Sequence, residues 1–224
     1  MFIDRVILAE GDGRKVSPET RWEVNPMSNH YYTQKPTVAH DLHTIEEQLR
    51  GRKFTFVTDA GVFSKKGVDY GSKVLIEAME LPVDARVLDV GCGYGPIGLA
   101  AAALVPEGHV TMVDINERAV ELAKQNAARN QISNVEIKQS DRLAEVMGSR
   151  YDVVLTNPPI RAGKEVVHSI FEQAYEVLNP GGSLWVIIQK KQGAPSAFAK
   201  LESLFSKVKE LGKDKGYRIL KAEK

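Results

Sequence analysis

The chain has 224 residues, 43% of them hydrophobic and 26% charged, with a net charge of +1 and a single cysteine. That length and composition suit a soluble domain with a full core plus a short appendage. The near-zero charge gives no global pull toward nucleic acid or membrane, and one thiol excludes an internal disulfide and any metal cluster built on several thiolates. No apolar run reaches the roughly 18 residues of a membrane helix. The opening Met1–Leu8 is broken by charge and lacks a small-residue cleavage site, so the expected location is cytoplasmic.

Residues 1–26, punctuated by Gly11-Asp12-Gly13 and Ser17-Pro18, read as an N-terminal extension. Residues 27–82 read as a hairpin and helix packed on a core that spans 83–224. Alternation at Ile45, Glu47 and Leu49, then Phe54, Phe56 and Thr58, predicts an antiparallel hairpin about Gly51-Arg52, extended by Val62-Phe63. Val74, Leu75, Ala78 and Met79 predict a helix from Ser72 to Met79.

From residue 85 strands and helices alternate. Strands are predicted at Arg86–Val90, His109–Asp114, Asn134–Lys138, Tyr151–Thr156 and Leu184–Gln189. Helices are predicted at Ile97–Val105, Glu117–Asn130, Glu165–Leu178 and Ser196–Phe205, the third stopped by Asn179-Pro180-Gly181-Gly182. A closing hairpin joins Val208–Leu211 to Tyr217–Lys221 around Gly212–Gly216. Such alternation demands an α/β fold, a mostly parallel sheet with helices on both faces and its ligands outside the carboxyl ends of the strands.

The first strand-to-helix turn is Asp89-Val90-Gly91-Cys92-Gly93-Tyr94-Gly95-Pro96-Ile97-Gly98. Its glycines permit a tight turn and let a ligand lie on bare backbone. Gly93-x-Gly95-x-x-Gly98 also fits the dinucleotide fingerprint, which keeps a nicotinamide-dependent oxidoreductase open. Three acids favour S-adenosylmethionine. Asp89 ends the first strand, where a carboxylate repels a pyrophosphate and attracts an ammonium. Asp114 ends the second and suits ribose hydroxyls. Asp141, after Ser140, follows the third and suits an adenine amino group. Read singly, Asp114 fits a helix cap and Asp141 a turn. Cys92 reads as a small apolar residue under the loop.

Asn157-Pro158-Pro159-Ile160 follows an apolar strand. Prolines cannot donate backbone hydrogen bonds, so the segment offers acceptors with few competing donors. Two acceptors, the Asn157 side chain and the Pro158 carbonyl, suit both hydrogens of a planar NH2 group. They would aim its poorly nucleophilic nitrogen at a methyl donor.

These residues resemble class I methyltransferases acting on exocyclic amines. Gly61-Val62-Phe63-Ser64 with Asp69-Tyr70-Gly71-Ser72 and Leu75 is similar to the RsmC family of ribosomal RNA guanine-N2 methyltransferases, over residues 54–222 and in small single-domain form. The resemblance implies a Rossmann-like, seven-stranded sheet whose last strand is antiparallel. It implies S-adenosylmethionine contacts at Asp89, Gly91, Gly93, Asp114 and Asp141, closed at the methionine end by Gly71 and Ser72. Asn157, Pro158 and Pro159 become the catalytic clamp. The family usually has an aromatic residue after the second proline. Here Ile160 stands there, so stacking falls to Phe63 or Tyr94.

The implied partner is RNA, with neither membrane nor metal; the histidines show no metal-ligand spacing. Arg50, Arg52, Lys53, Lys65 and Lys66 near the hairpin, and Arg161 and Lys164 beside the clamp, are expected to form a phosphate-gripping rim, with Tyr31 and Tyr32 stacking on bases. The lysine-rich tail after Lys207 reads as a solvated face. A glutamine-amide acceptor in protein remains open, since the same clamp serves carboxamides. So does a cofactor- or RNA-binding module without turnover.

Overall fold

The computed structural model describes residues 34–224, so the 1–26 extension, Tyr31 and Tyr32 lie outside the described residues. The chain runs β1 (His43–Leu49), β2 (Arg52–Thr58), α1 (Tyr70–Ala78), β3 (Arg86–Val90), α2 (Pro96–Leu104), β4 (His109–Asp114), α3 (Glu117–Arg129), β5 (Val135–Gln139), β6 (Tyr151–Thr156), α4 (Lys164–Val177), β7 (Leu178–Gln189), α5 (Ala194–Leu204), β8 (Lys207–Asp214) and β9 (Tyr217–Glu223). Seven strands form one sheet in the order β5-β4-β3-β6-β7-β9-β8. β3 to β7 are mutually parallel, and β9 inserts antiparallel between β7 and β8. This is the expected α/β arrangement with an antiparallel last strand, plus a separate hairpin β1–β2.

Two cores result from strand alternation. Val87, Val153, Leu155, Trp185 and Ile187 face the side covered by α1, α2 and α3. Leu88, Val90, Val154, Leu184, Val186 and Ile188 face α4 and α5. Both faces being covered explains why these strands read as continuous apolar runs. The alanine-rich α2 lies close to the sheet because its side chains are small. A Cβ on Gly98 would come within 2.7 Å of Met112, so this glycine serves helix–sheet contact.

The hairpin is latched to α3 by two asparagines one helical turn apart. Val57 N–H donates to Asn126 Oδ1 at 2.7 Å, while Asn126 Nδ2 donates to the Val57 and Tyr94 carbonyls. Asn130 exchanges the same pair of bonds with Thr55. Side-chain amides thus satisfy the edge of β2 that β1 leaves open, and they cover it against pairing with another chain. Asn126→Ala strands three buried backbone groups and should lower stability by about 2–4 kcal/mol, read as a shift in urea midpoint.

Three local expectations need correction. Val62-Phe63 does not extend the hairpin. β2 ends at Thr58, and buried Asp59 accepts from the Asp41 and Ala60 N–H groups, turning the chain through Gly61 at φ +81°. The strand expected at Leu184–Gln189 begins earlier, at Leu178 directly after α4, and its register to β6 shifts between Tyr151 and Val153. The closing hairpin turns at Lys215-Gly216 alone, both at positive φ, and the bulge between Glu210 and Gly212 absorbs the extra residue.

Candidate active site

The chain order reverses at β3, between β4 and β6, and the carboxyl ends of these three strands open into one cavity of about 240 Å³. The glycine loop forms its floor. Gly91 and Cys92 N–H both donate to the Val113 carbonyl, and Gly95 N–H donates to the Cys92 carbonyl. Gly91 and Gly93 sit at φ +74° and +57°, and a Cβ on either would meet nothing within 4 Å. Their backbone is therefore bare toward the cavity. Cys92 is buried, as expected of a small packing residue.

Asp114 lines the cavity, with Oδ2 accepting from Gly93 N–H at 2.8 Å and Oδ1 from Asn116 N–H at 2.9 Å. Each oxygen keeps a free lone pair. Burial raises its pKa despite the Asn116, Gly93 and Ile115 amides. The cap of α3 is Asn116, which accepts from Arg118 and Ala119 N–H. Asp114 is thus left for a ligand.

Asp89 is fully buried beneath the loop, outside the cavity lining, and neither oxygen has a hydrogen-bond partner. Burial pushes its carboxyl up to about 7. The Gly98 N–H opposes this without reaching hydrogen-bond geometry, and the Asp114 charge adds to it. The folded-state pKa exceeds the unfolded value, so folding takes up a proton between them. The resulting stability is complete below about pH 4 and is lost as pH rises to about 7, on the order of 4 kcal/mol. Asp89→Asn should therefore match the parent protein in urea unfolding near pH 4 and exceed it at pH 8. A gap that does not change with pH would overturn this.

Asp141 lines the cavity but is 53% exposed, and Arg142 binds both its oxygens at 3.0 and 3.1 Å. A ligand amino group there meets a carboxylate already shared with a guanidinium.

Asn157 is held by α1. Its Nδ2 donates to Asp69 Oδ2 and to Ser72 Oγ, both at 3.1 Å. A carboxylate only accepts, so the amide must turn its NH2 toward Asp69, leaving Oδ1 as the open acceptor. Asp69 is also the N-cap of α1, accepting from Ser72 N–H. The sequence offers the signal for this cap, an aspartate opening an apolar helix, but not its reach to Asn157. The Pro158 carbonyl accepts from Ile160 N–H at 2.9 Å in an inverse γ-turn centred on Pro159, which uses one of its two lone pairs.

Asp114, Asp141, Gly91, Gly93, Ser72, Phe63, Asn157, Pro158 and Pro159 all line the one cavity. Gly71, Ile160, Arg161 and Lys164 do not. A Cβ on Gly71 would sit 2.6 Å from the Tyr217 ring, so this glycine answers to packing. Ile160 packs on the α4–α5 core, and Arg161 and Lys164 are exposed beside the mouth. Of the two aromatics expected to stack, Tyr94 is 2% exposed and edge-on to Phe56, whereas Phe63 is 47% exposed at the mouth. Phe63 is the ring that is free.

Of the cations expected around the hairpin, Arg50 and Arg52 sit at the wrong end, whereas Lys65 and Lys66 directly follow the cavity-lining Phe63 and Ser64. Arg50 binds Glu77 in the last turn of α1, and Arg52 binds the Asn130 carbonyl at the end of α3. Helix ends lie at the edge where strands begin, opposite the cavity. Lys53 is paired with Glu46 and Lys65 with Asp41. Among the described residues no helix is long and apolar enough to cross a membrane, and no group of three or more metal-ligating side chains converges.

A family model described as the methyltransferase small domain matches residues 53–221. The chain is 54% identical over 200 residues to the uncharacterized protein YbxB of Bacillus subtilis, covering 88% of this chain and all of that one. It is 34% identical to the ribosomal RNA large subunit methyltransferase G of Ectopseudomonas mendocina, over 83% of this chain and 50% of that one. It is 31% identical to the ribosomal RNA small subunit methyltransferase C of Klebsiella pneumoniae, over 84% and 55%. Among solved structures it resembles the T. thermophilus 16S rRNA N2 methyltransferase (RsmC), in complex with AdoMet and guanosine. The TM-score is 0.74 at 27% identity, covering 84% of this chain and 52% of that one. The chain spans about half the length of these ribosomal RNA methyltransferases.

Proposed function

The chain belongs to the methyltransferase small-domain family, and from that premise we propose that it methylates the exocyclic N2 of guanine in ribosomal RNA, using S-adenosylmethionine. The observation that carries the reading is the shared cavity: the Asn157 amide, turned by Asp69 and Ser72, opens on the same space as Asp114 and the glycine floor.

The residues fit the cofactor. Bare backbone at Gly91 and Gly93 accepts close approach, Asp114 has lone pairs for ribose hydroxyls, and Val90, Val113, Ile115 and Ile97 supply apolar walls. The unpartnered Asp89 carboxylate favours a ligand carrying a cation nearby. A pyrophosphate, by contrast, would meet Asp114 at the loop above the buried Asp89, which weighs against a dinucleotide. When bound, S-adenosylmethionine supplies an electrophilic methyl group.

The chain's own work is to present the amine. Asn157 Oδ1 and the remaining lone pair of the Pro158 carbonyl accept its two hydrogens, one each. That grip fixes the nitrogen in place and localises its lone pair, which is otherwise delocalised into the ring. The amine hydrogens become acidic as the new bond forms, so no dedicated base is required. The exposed Phe63 ring stacks on the base at the mouth, and Arg161 and Lys164 hold adjacent phosphates.

The test is labelled methyl transfer to RNA from cells lacking this protein, followed by nucleoside analysis. Label in N2-methylguanosine supports the reading. Label in protein shifts it to a carboxamide acceptor, and label nowhere leaves a binding module.

A further inference from the structure

A group of unassigned lysines follows β7, the strand next to β6 from which Asn157 emerges. β7 ends at Gln189, at the cavity edge of the sheet, and Lys190 and Lys191 follow in a 3-10 turn. The β8–β9 turn, Lys215-Gly216, folds against them: Lys190 N–H donates to the Gly216 carbonyl at 2.8 Å. All three lysines are exposed, and among the described residues none of the three is ion-paired. The adjacent acid, Asp214, is engaged by the Tyr70 hydroxyl. Lys215 Nζ rests 4.5 Å above the Tyr70 ring.

This lip connects to the clamp by direct contact. Tyr70 follows Asp69, which holds Asn157. The Tyr217 ring, next after Gly216, packs on Gly71 and tilts against Tyr70 at 5.9 Å. Lysines on an ordinary solvated face are interspersed with carboxylates. Here three from two distant segments share one neighbouring carboxylate, Asp214, which among the described residues is ion-paired with none of them, so positive charge is left over. In a chain of net charge +1 such concentration at one edge points to a polyanion.

We propose that Lys190, Lys191 and Lys215 form a second phosphate-gripping lip, which with Arg161 and Lys164 spans the cavity mouth and holds a single-stranded RNA backbone on both sides of the target nucleotide. This deepens the reading of RNA as methyl acceptor and rests on it. The strand is single because a base must leave its stack to reach the Asn157 amide within the cavity. The lip also stands in for Arg50 and Arg52, which the fold carries to the opposite edge.

The experiment uses the full chain and a dye-labelled, short single-stranded oligoribonucleotide, with binding measured across salt concentrations. For single strands each phosphate contact contributes about 0.7 to the log–log salt slope. The triple variant Lys190→Ala, Lys191→Ala, Lys215→Ala should lose about 2 from that slope and roughly tenfold or more in affinity at low salt. Its KM for RNA should rise with kcat, cofactor affinity and unfolding midpoint unchanged. Lys207→Ala with Lys209→Ala, at the opposite edge, should alter neither slope nor KM. An unchanged slope in the triple variant, an equal loss in the control, or no RNA binding by the parent chain overturns the lip. If the parent binds with a lysine-dependent slope yet methylates no RNA, the acceptor assignment falls and the lip stands. If it methylates RNA while the triple variant keeps its slope and KM, the lip falls alone.

Discussion

Asn157→Ala is expected to lower kcat about 10²- to 10³-fold, with S-adenosylmethionine affinity changed little. The magnitude is that of removing one preorganised polar contact from a reacting centre. The amide is well preorganised here, because two acceptors hold its NH2 and one orientation of Oδ1 remains. Loss of that oxygen frees one hydrogen of the target amine, so the nitrogen is no longer aimed. Asn157 follows β6, away from Asp114 on β4, the proposed ribose contact, so calorimetry with the cofactor should be nearly unaffected. Single-turnover rates with an active RNA substrate read the effect directly. A rate within a few-fold of the parent would remove the clamp from the chemistry.

Asp69→Ala is expected to cost roughly 10- to 100-fold in kcat and, separately, about 1 kcal/mol of stability. The stability loss follows from removing the α1 N-cap. The rate loss follows from releasing one of the two acceptors that turn the Asn157 amide, so that its NH2 can swing toward the substrate and oppose the incoming donor. Asp69→Asn separates the two effects. Its amide oxygen still caps the helix and accepts from Asn157, so stability should return and the rate recover most of the way. A stability loss in Asp69→Ala with an unchanged rate would reduce Asp69 to a cap.

Together these variants treat Asp69, Ser72 and Asn157 as one unit, and the fold shows why. Ser72 contributes from the first turn of α1 what Asp69 contributes from its cap, and both meet a residue that leaves the sheet after β6. The proposed amine clamp is therefore set by the docking of α1 on the cavity edge as much as by the prolines after it. Pro158 is already half committed to its γ-turn, which leaves Asn157 as the adjustable partner.

The local chain made much of this legible. Apolar runs of strand length are visible in sequence because burial on both faces removes polar residues from β3, β4, β6 and the second half of β7. The glycine loop, Asp114 and Asn157-Pro158-Pro159 stand out for the same reason: each directly follows a strand and needs only local backbone geometry. Tertiary structure alone decided the rest. Asp69 meets Asn157 across 88 positions, and Asn126 meets Val57 across 69. Charge is the plainest case. Arg50 and Arg52 look close to the site in sequence yet lie at the edge where strands begin. Lys215 lies in the tail that reads as a solvated face and Lys190 carries no signal of its own in sequence, yet a backbone hydrogen bond brings their turns together. Residue period reports which face of an element is buried, but the order of strands in the sheet determines which ends share an edge, and that order is a property of the packed whole.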